Sequence, residues 1–144
     1  MALVSGTFTY PSTIDAGIAN LFGKFTYEAS RGFALPVCVL MHGYIGDTNN
    51  FTQADMDRYA GYNFLTVALG MRGRDGASGT ADSSGREIHD IYDGINYVRR
   101  TLLPTVAHPT AALVVGYSGG GGNAFAMGAK FPDTCGTLVA FFGM

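Results

Sequence analysis

The chain reads as an α/β protein with a mostly parallel sheet, and three observations carry that reading. After residue 35, segments of strand character alternate with segments of helical spacing. The strand segments 35–41 and 63–69 are apolar almost throughout, as strands covered on both faces are. Finally, Gly116-Tyr117-Ser118-Gly119-Gly120 stands between the apolar segment 111–115 and the small-residue segment 121–130, which spells strand, tight turn and helix.

The elements follow in order. Residues 4–10 alternate Thr, Phe, Thr and Tyr and pair with 22–28 as an antiparallel edge, joined through the turn formers of 11–20. Residues 35–41 form a central strand that ends in His42-Gly43. A helix is expected over 49–60, with Asn49 or Asn50 as its cap. Strand 63–69 leads into a long ordered loop, 70–85, rich in Gly, Asp, Arg and Ser. Ser84 and Glu87 have capping-box spacing. The helix behind them carries an apolar stripe of Ile88, Ile91, Tyr92, Ile95, Val98 and Leu102, and Pro104 and Pro109 bracket its exit. Strand 111–116, helix 119–130 and a last strand, 137–142, complete the order.

The 144 residues suffice for one domain with a substantial core. A hydrophobic share of 47% against 14% charged excludes a disordered chain. Net charge −2 gives no electrostatic ground for nucleic acid or an anionic membrane as partner. The longest apolar runs, such as 34–41, are strand-sized, and residues 1–6 lack a signal-peptide pattern. Cys38 and Cys135 fit no metal spacing. Placed on strands separated by a third, they stand about 9–10 Å apart, too far for a disulfide. Two buried free thiols lean weakly towards a reducing compartment, and with no signal-peptide or transmembrane pattern in the sequence the cytoplasm is favoured.

The chemistry centres on Ser118. At a sharp bend, Gly116 and Gly120 remove side chains that would collide across the turn, and the hydroxyl stands at the positive end of the following helix. A serine nucleophile needs a base and donors for the developing oxyanion. The Gly119 amide is one candidate donor. The segment His42-Gly43-Tyr44-Ile45-Gly46-Asp47 offers a second, through the Tyr44 amide or its phenol. His42 reads as a brace of that loop, not as a base. His89 reads as a solvated helix position, and His108 as a loop residue at the far end of its strand.

The same residues admit other readings. The glycines 119–122 also suit simple close packing of helix on sheet, with no chemistry at Ser118. Gly119-x-Gly121-x-x-Ala124 can be read as a dinucleotide fingerprint, but it follows a late strand and Asp133 comes too early for the ribose contact. No Gly-Lys-Ser/Thr phosphate loop is present. Asp90 and Asp93 read as a polar helix face and a loop anchor, and Arg72, Arg74 and Asp75 as ion-pair braces of the long loop.

Three stretches together resemble the amino-terminal part of an α/β-hydrolase: Val37-Cys38-Val39-Leu40-Met41-His42-Gly43-Tyr44, Met71-Arg72-Gly73-Arg74-Asp75-Gly76-Ala77-Ser78-Gly79, and Gly116-Tyr117-Ser118-Gly119-Gly120. The prolyl-oligopeptidase-like and X-prolyl-peptidase/cocaine-esterase-like branches are nearest. The middle stretch is similar to their Arg-Gly-x-Gly-x-Ser-x-Gly signature, with Asp75 intruding by one position. The match covers about residues 22–144. Glu87, Asp90 and Asp93 before Ile95-Asn96-Tyr97-Val98 look like the family's helix ahead of the nucleophile strand.

The resemblance implies a serine hydrolase of ester or amide bonds acting on a small-molecule or peptide substrate without metal or organic cofactor. It also implies a triad running Ser, acid, His, with both later members beyond the last strand. No histidine follows Ser118. The expectation is a partial domain over 1–144, carrying Ser118, Gly119 and Tyr44 but lacking acid, base and C-terminal strands, and inactive by itself. The alternative is a non-catalytic binding or assembly module, whose exposed last strand invites self-association.

Overall fold

The computed structural model describes residues 2–83 and 85–141. Among these, six strands form one sheet: β1 Leu3–Tyr10, β2 Leu21–Glu28, β3 Leu35–Met41, β4 Leu65–Leu69, β5 Ala107–Tyr117 and β6 Thr137–Phe141. Their order is β1-β2-β4-β3-β5-β6. β1 and β2 pair antiparallel, β2 pairs antiparallel with β4, and β4, β3, β5 and β6 are mutually parallel. Helices α1 Gln53–Gly61, α2 Glu87–Tyr97 and α3 Gly119–Lys130 connect the parallel strands. The fold is the expected mostly parallel sheet with flanking helices.

The two-residue period of β3 explains how the sheet is covered. Leu35, Val37, Val39 and Met41 enter a core with Ile88, Ile91 and Ile95 of α2 and Met127 of α3. Cys38 and Leu40 face the other way, into a smaller core with Met56 of α1, Phe51, Ala68 and Val115. A central strand without a polar position is therefore what two flanking layers require.

Several boundaries differ from the sequence expectation. The helix expected over 49–60 splits: Thr48–Asn50 is a short 3-10 turn, and α1 begins after Thr52, whose side chain exchanges hydrogen bonds with Asp55. Asn50 instead spends its side chain on the Asp47 amide, so the cap lies at Thr52. The stripe expected to run to Leu102 leaves α2 at Tyr97 and continues as a π-helical segment, Val98–Leu102. Of the expected capping box, Ser84 lies outside the described residues. Asp82 accepts from the amides of Arg86 and Glu87 at the start of α2. The last strand is described to Phe141, with Phe142 outside the described residues.

Candidate functional site

β5 ends at Tyr117 and α3 begins at Gly119, leaving Ser118 alone between them with φ 53° and ψ −123°. That left-handed φ is one a side chain resists, so the surroundings must enforce it. They do so by hydrogen bonds. The Ser118 amide donates to the Phe141 carbonyl at the end of β6 (2.8 Å), and the Gly121 amide returns to the Ser118 carbonyl (2.8 Å). Ser118 is exposed, and its hydroxyl makes no hydrogen bond among the described residues.

The bend closes only because Gly116 and Gly120 lack side chains. A Cβ on Gly116 would lie 2.0 Å from the Gly120 carbonyl oxygen, and one on Gly120 would lie 2.4 and 2.5 Å from the Met41 and His42 carbonyl oxygens. The first turn of α3 is therefore pressed onto the end of β3. This brings the loop after β3 over the serine. A Cβ on Gly43 would sit 3.3 Å from the Ser118 Cβ, and one on Gly119 would sit 2.8 Å from the Tyr44 nitrogen. Neither the Tyr44 amide nor the Gly119 amide donates to any protein group among the described residues. The Tyr44 ring is about half exposed and lies under the Arg74 guanidinium, 5.6 Å from its carbon.

The loop carrying Tyr44 is held from the segment after β4. Arg74 donates to the Tyr44 carbonyl through Nε (3.1 Å) and through one terminal nitrogen, and pairs with Glu87 of α2 through the other. Asp75 accepts from the Thr48 amide and hydroxyl (3.2 and 2.7 Å). Asp75 thus braces by hydrogen bonds and not by the expected ion pair. Glu87, expected as the acid of a capping box, is buried and faces Arg74 and Asn123 of α3.

Among the described residues none of the three histidines hydrogen-bonds the serine hydroxyl, although His42 lines the same cleft. His42 is buried and donates from Nδ1 to the Gly43 carbonyl (2.9 Å), the bracing role expected of it, while its Nε2 has no partner. Burial holds its pKa below the ordinary imidazole value. His89 is not a freely solvated helix position: it packs edge-on against Phe131, with centroids 5.2 Å apart. His108 is not a loop residue but the second residue of β5, and its Nδ1 accepts from the Thr110 and Ala111 amides. Asp90 is buried in a bidentate pair with Arg72 (2.7 and 2.9 Å), and Asp93 takes the Thr13 amide and hydroxyl. Both carboxylates hold the scaffold. Among the described residues, no group of three or more His, Cys, Asp or Glu side chains is gathered to hold a metal ion.

A cleft of about 690 Å³ opens beside Ser118. Beyond the loop residues, its walls include Leu40, Phe51, Tyr59 and Tyr117, with Asp55 and Arg58 also lining it. Tyr117 packs on Phe51 and stacks on Phe141, and its hydroxyl lies 3.4 Å from that of Tyr59. Sequence reasoning missed the α1 contributors, Asp55, Arg58 and Tyr59. Nothing in their spacing marks which face of α1 turns to the cleft, and the packing of α1 against the sheet decides it.

This arrangement, a parallel sheet whose fifth strand turns through a strained serine into a helix, is that of the α/β-hydrolase fold. No protein-family model matches the chain. It is 35% identical to a monoacylglycerol lipase of Mycolicibacterium smegmatis over 72% of the chain and 36% of the lipase. A candidate dienelactone hydrolase of Klebsiella pneumoniae superposes with TM-score 0.79 at 16% identity, covering 99% of this chain and 61% of that one. An esterase of Pyrococcus furiosus superposes with TM-score 0.73 at 15% identity, over 92% of this chain and 49% of that one. The chain thus spans about a third to three fifths of the length of these relatives. Among the described residues no helix is long and apolar enough to cross a membrane.

Proposed function

We propose that this chain carries the nucleophile half of a serine hydrolase that cleaves carboxylic esters, with Ser118 as nucleophile at the elbow Gly116-Tyr117-Ser118-Gly119-Gly120. The single observation behind this reading is the exposed Ser118 at φ 53°, beside two amides, Tyr44 and Gly119, that no protein group occupies. In the reaction, the Ser118 oxygen bonds to the ester carbonyl carbon and its proton passes to a histidine base. The carbonyl π electrons move to oxygen, where the two amides donate to the negative charge. Collapse expels the alcohol with the proton from the base, and water then releases the acid by the same path in reverse order. His42 and Gly43 shape the loop and take no proton. The base and acid are assigned to sequence outside residues 1–144, in keeping with the greater length of the relatives. The lipase and esterase names of two relatives favour an ester over a peptide. Placement in the prolyl-oligopeptidase-like branch rests on the 71–79 motif alone.

A fluorophosphonate probe on the full-length gene product tests the reading. A single adduct in intact mass that disappears in Ser118→Ala is the expected result; no adduct, or one that persists in Ser118→Ala, sinks it.

The alternative, a non-catalytic binding module, is favoured by one observation: no histidine or carboxylate among the described residues hydrogen-bonds the Ser118 hydroxyl. On that reading β6, at the edge of the described sheet, pairs with a partner strand or a second copy. Labelling of Ser118 by the probe decides against it.

A further inference from the structure

We infer that Arg74 is a positioning residue that holds Tyr44, and with it the amide over Ser118, in place from the carbonyl side, and is itself held by buried Glu87. The inference rests on the proposed role of that amide as an oxyanion donor. A peptide plane is rigid, but the loop that carries it is not, and Gly43 and Gly46 flank this one closely. A donor on such a loop is pre-organised only if something fixes the loop. The Gly43 carbonyl, which shares its peptide plane with the Tyr44 amide, takes His42 Nδ1 at 2.9 Å and the Gly46 amide at 3.0 Å; the next plane offers the second handle, the Tyr44 carbonyl, and Arg74 grips it with two nitrogens while its guanidinium carbon lies over the Tyr44 ring. Three contacts to one residue, two polar and one to the ring face, leave little rotational freedom.

The guanidinium is itself fixed from behind. Its third nitrogen pairs with Glu87 Oε1, and both side chains are sequestered, at 7% and 1% exposure. The other Glu87 oxygen takes Asn123 Nδ2 at 3.4 Å, so the chain of contacts ends on α3, the helix that starts at Gly119. Both amides beside Ser118 are thereby referred to one helix: Gly119 directly, Tyr44 through Arg74, Glu87 and Asn123. Asp75, the next residue, seizes the far end of the same loop at Thr48, so Tyr44 is held within a clamped span. A buried carboxylate and a guanidinium directed onto one backbone carbonyl are costly to build for stability alone, since apolar replacements commonly do as well. They make sense where geometry is wanted.

The test uses the full-length gene product and two readouts. Arg74→Ala leaves Glu87 buried and uncompensated, so Arg74→Met/Glu87→Gln, which removes both charges, is made alongside it. The expected result on ester turnover is a fall in kcat of about 10²-fold with KM changed less than about threefold, the mark of a donor displaced in the transition state. Added guanidinium ion recovers part of the loss in Arg74→Ala. Arg74→Lys recovers little, because an ammonium cannot grip in fork geometry. An unchanged kcat, or a raised KM alone, overturns the proposal. The second readout needs no activity: the ¹⁵N order parameter of the Tyr44 amide should drop from about 0.85 to below about 0.6 in the double variant, while that of Gly121 stays high. An unaltered Tyr44 value overturns the clamp, even if Ser118 proves not to be a nucleophile. Conversely, a lowered value with no adduct on wild-type Ser118 keeps the clamp and refutes the hydrolase.

Discussion

A side chain on Gly119 would place its Cβ 2.8 Å from the backbone nitrogen of Tyr44 and 3.0 Å from the Tyr44 Cβ. Helix start and loop thus touch with no room for a methyl group, which is why the two amides stand side by side. Gly119→Ala must push the loop 43–46 away from the serine. The expected outcome is a stability loss of about 1–3 kcal/mol, typical of an overpacked site, and a Ser118 labelling rate lowered about tenfold or more. Thermal unfolding and timed probe labelling check both. A variant that labels like wild type would show that the loop position is irrelevant to serine reactivity.

Ser118 itself is strained. At φ 53° and ψ −123° a residue with a Cβ costs about 1–3 kcal/mol, whereas glycine takes this conformation freely at an entropic cost of about 0.5–1 kcal/mol. Ser118→Gly should therefore unfold later than Ser118→Ala, by about 1 kcal/mol in denaturant titration, while neither variant is labelled. Equal stabilities would mean that the bend stores no strain.

The order of elements was legible because it depends on periodicity. Strands with apolar residues at every position, such as 35–41, have no stable place except between two layers, so sequence placed β3 at the centre correctly. The antiparallel pair of β1 and β2 was equally open to reading from its alternation. The start of α1 was not. Asn49, Asn50 and Thr52 are all good caps, and two local boxes compete, Asp47 with Asn50 and Thr52 with Asp55, while Lys24 of β2 takes the Asn49 side chain. Glu87 shows the same limit at the site. Three residues after Ser84 it matched a capping box, yet the side chain was claimed by Arg74, 13 positions earlier, and Asn123, 36 positions later. Local pattern cannot weigh a local hydrogen bond against a buried ion pair from another element.

The two thiols should behave unlike free cysteine. Cys38 is fully buried in the smaller core, and burial pushes its thiol up to about 12; the half-buried Cys135 is raised by the same cause. The thiolate is the reacting species, so at pH 8 Cys38 is shut off both by access and by ionisation. Maleimide or disulfide-exchange reagents are expected to modify Cys38 only at the rate of unfolding, and Cys135 slowly. Mass spectrometry of peptides after brief labelling reads this directly, and rapid native modification of Cys38 would contradict the packing of β3 against β5.

Stability should depend on pH through His42. In the unfolded chain its imidazole binds a proton below its ordinary value of 6.5, but burial lowers the pKa in the fold. Between the two values the unfolded form holds more protons, so stability is full above about pH 6.5 and declines as pH falls toward the folded pKa. Burial shifts His89 in the same direction, so the wild-type decline contains both histidines. His42→Asn isolates one of them, because its amide nitrogen can still donate to the Gly43 carbonyl as Nδ1 does, with nothing left to titrate. Urea midpoints measured from pH 7.5 down to about pH 5 should fall less steeply in His42→Asn than in wild type. Parallel curves would mean that His42 takes up its proton as readily in the folded chain as in the unfolded one, and that the loop over Ser118 is open to water.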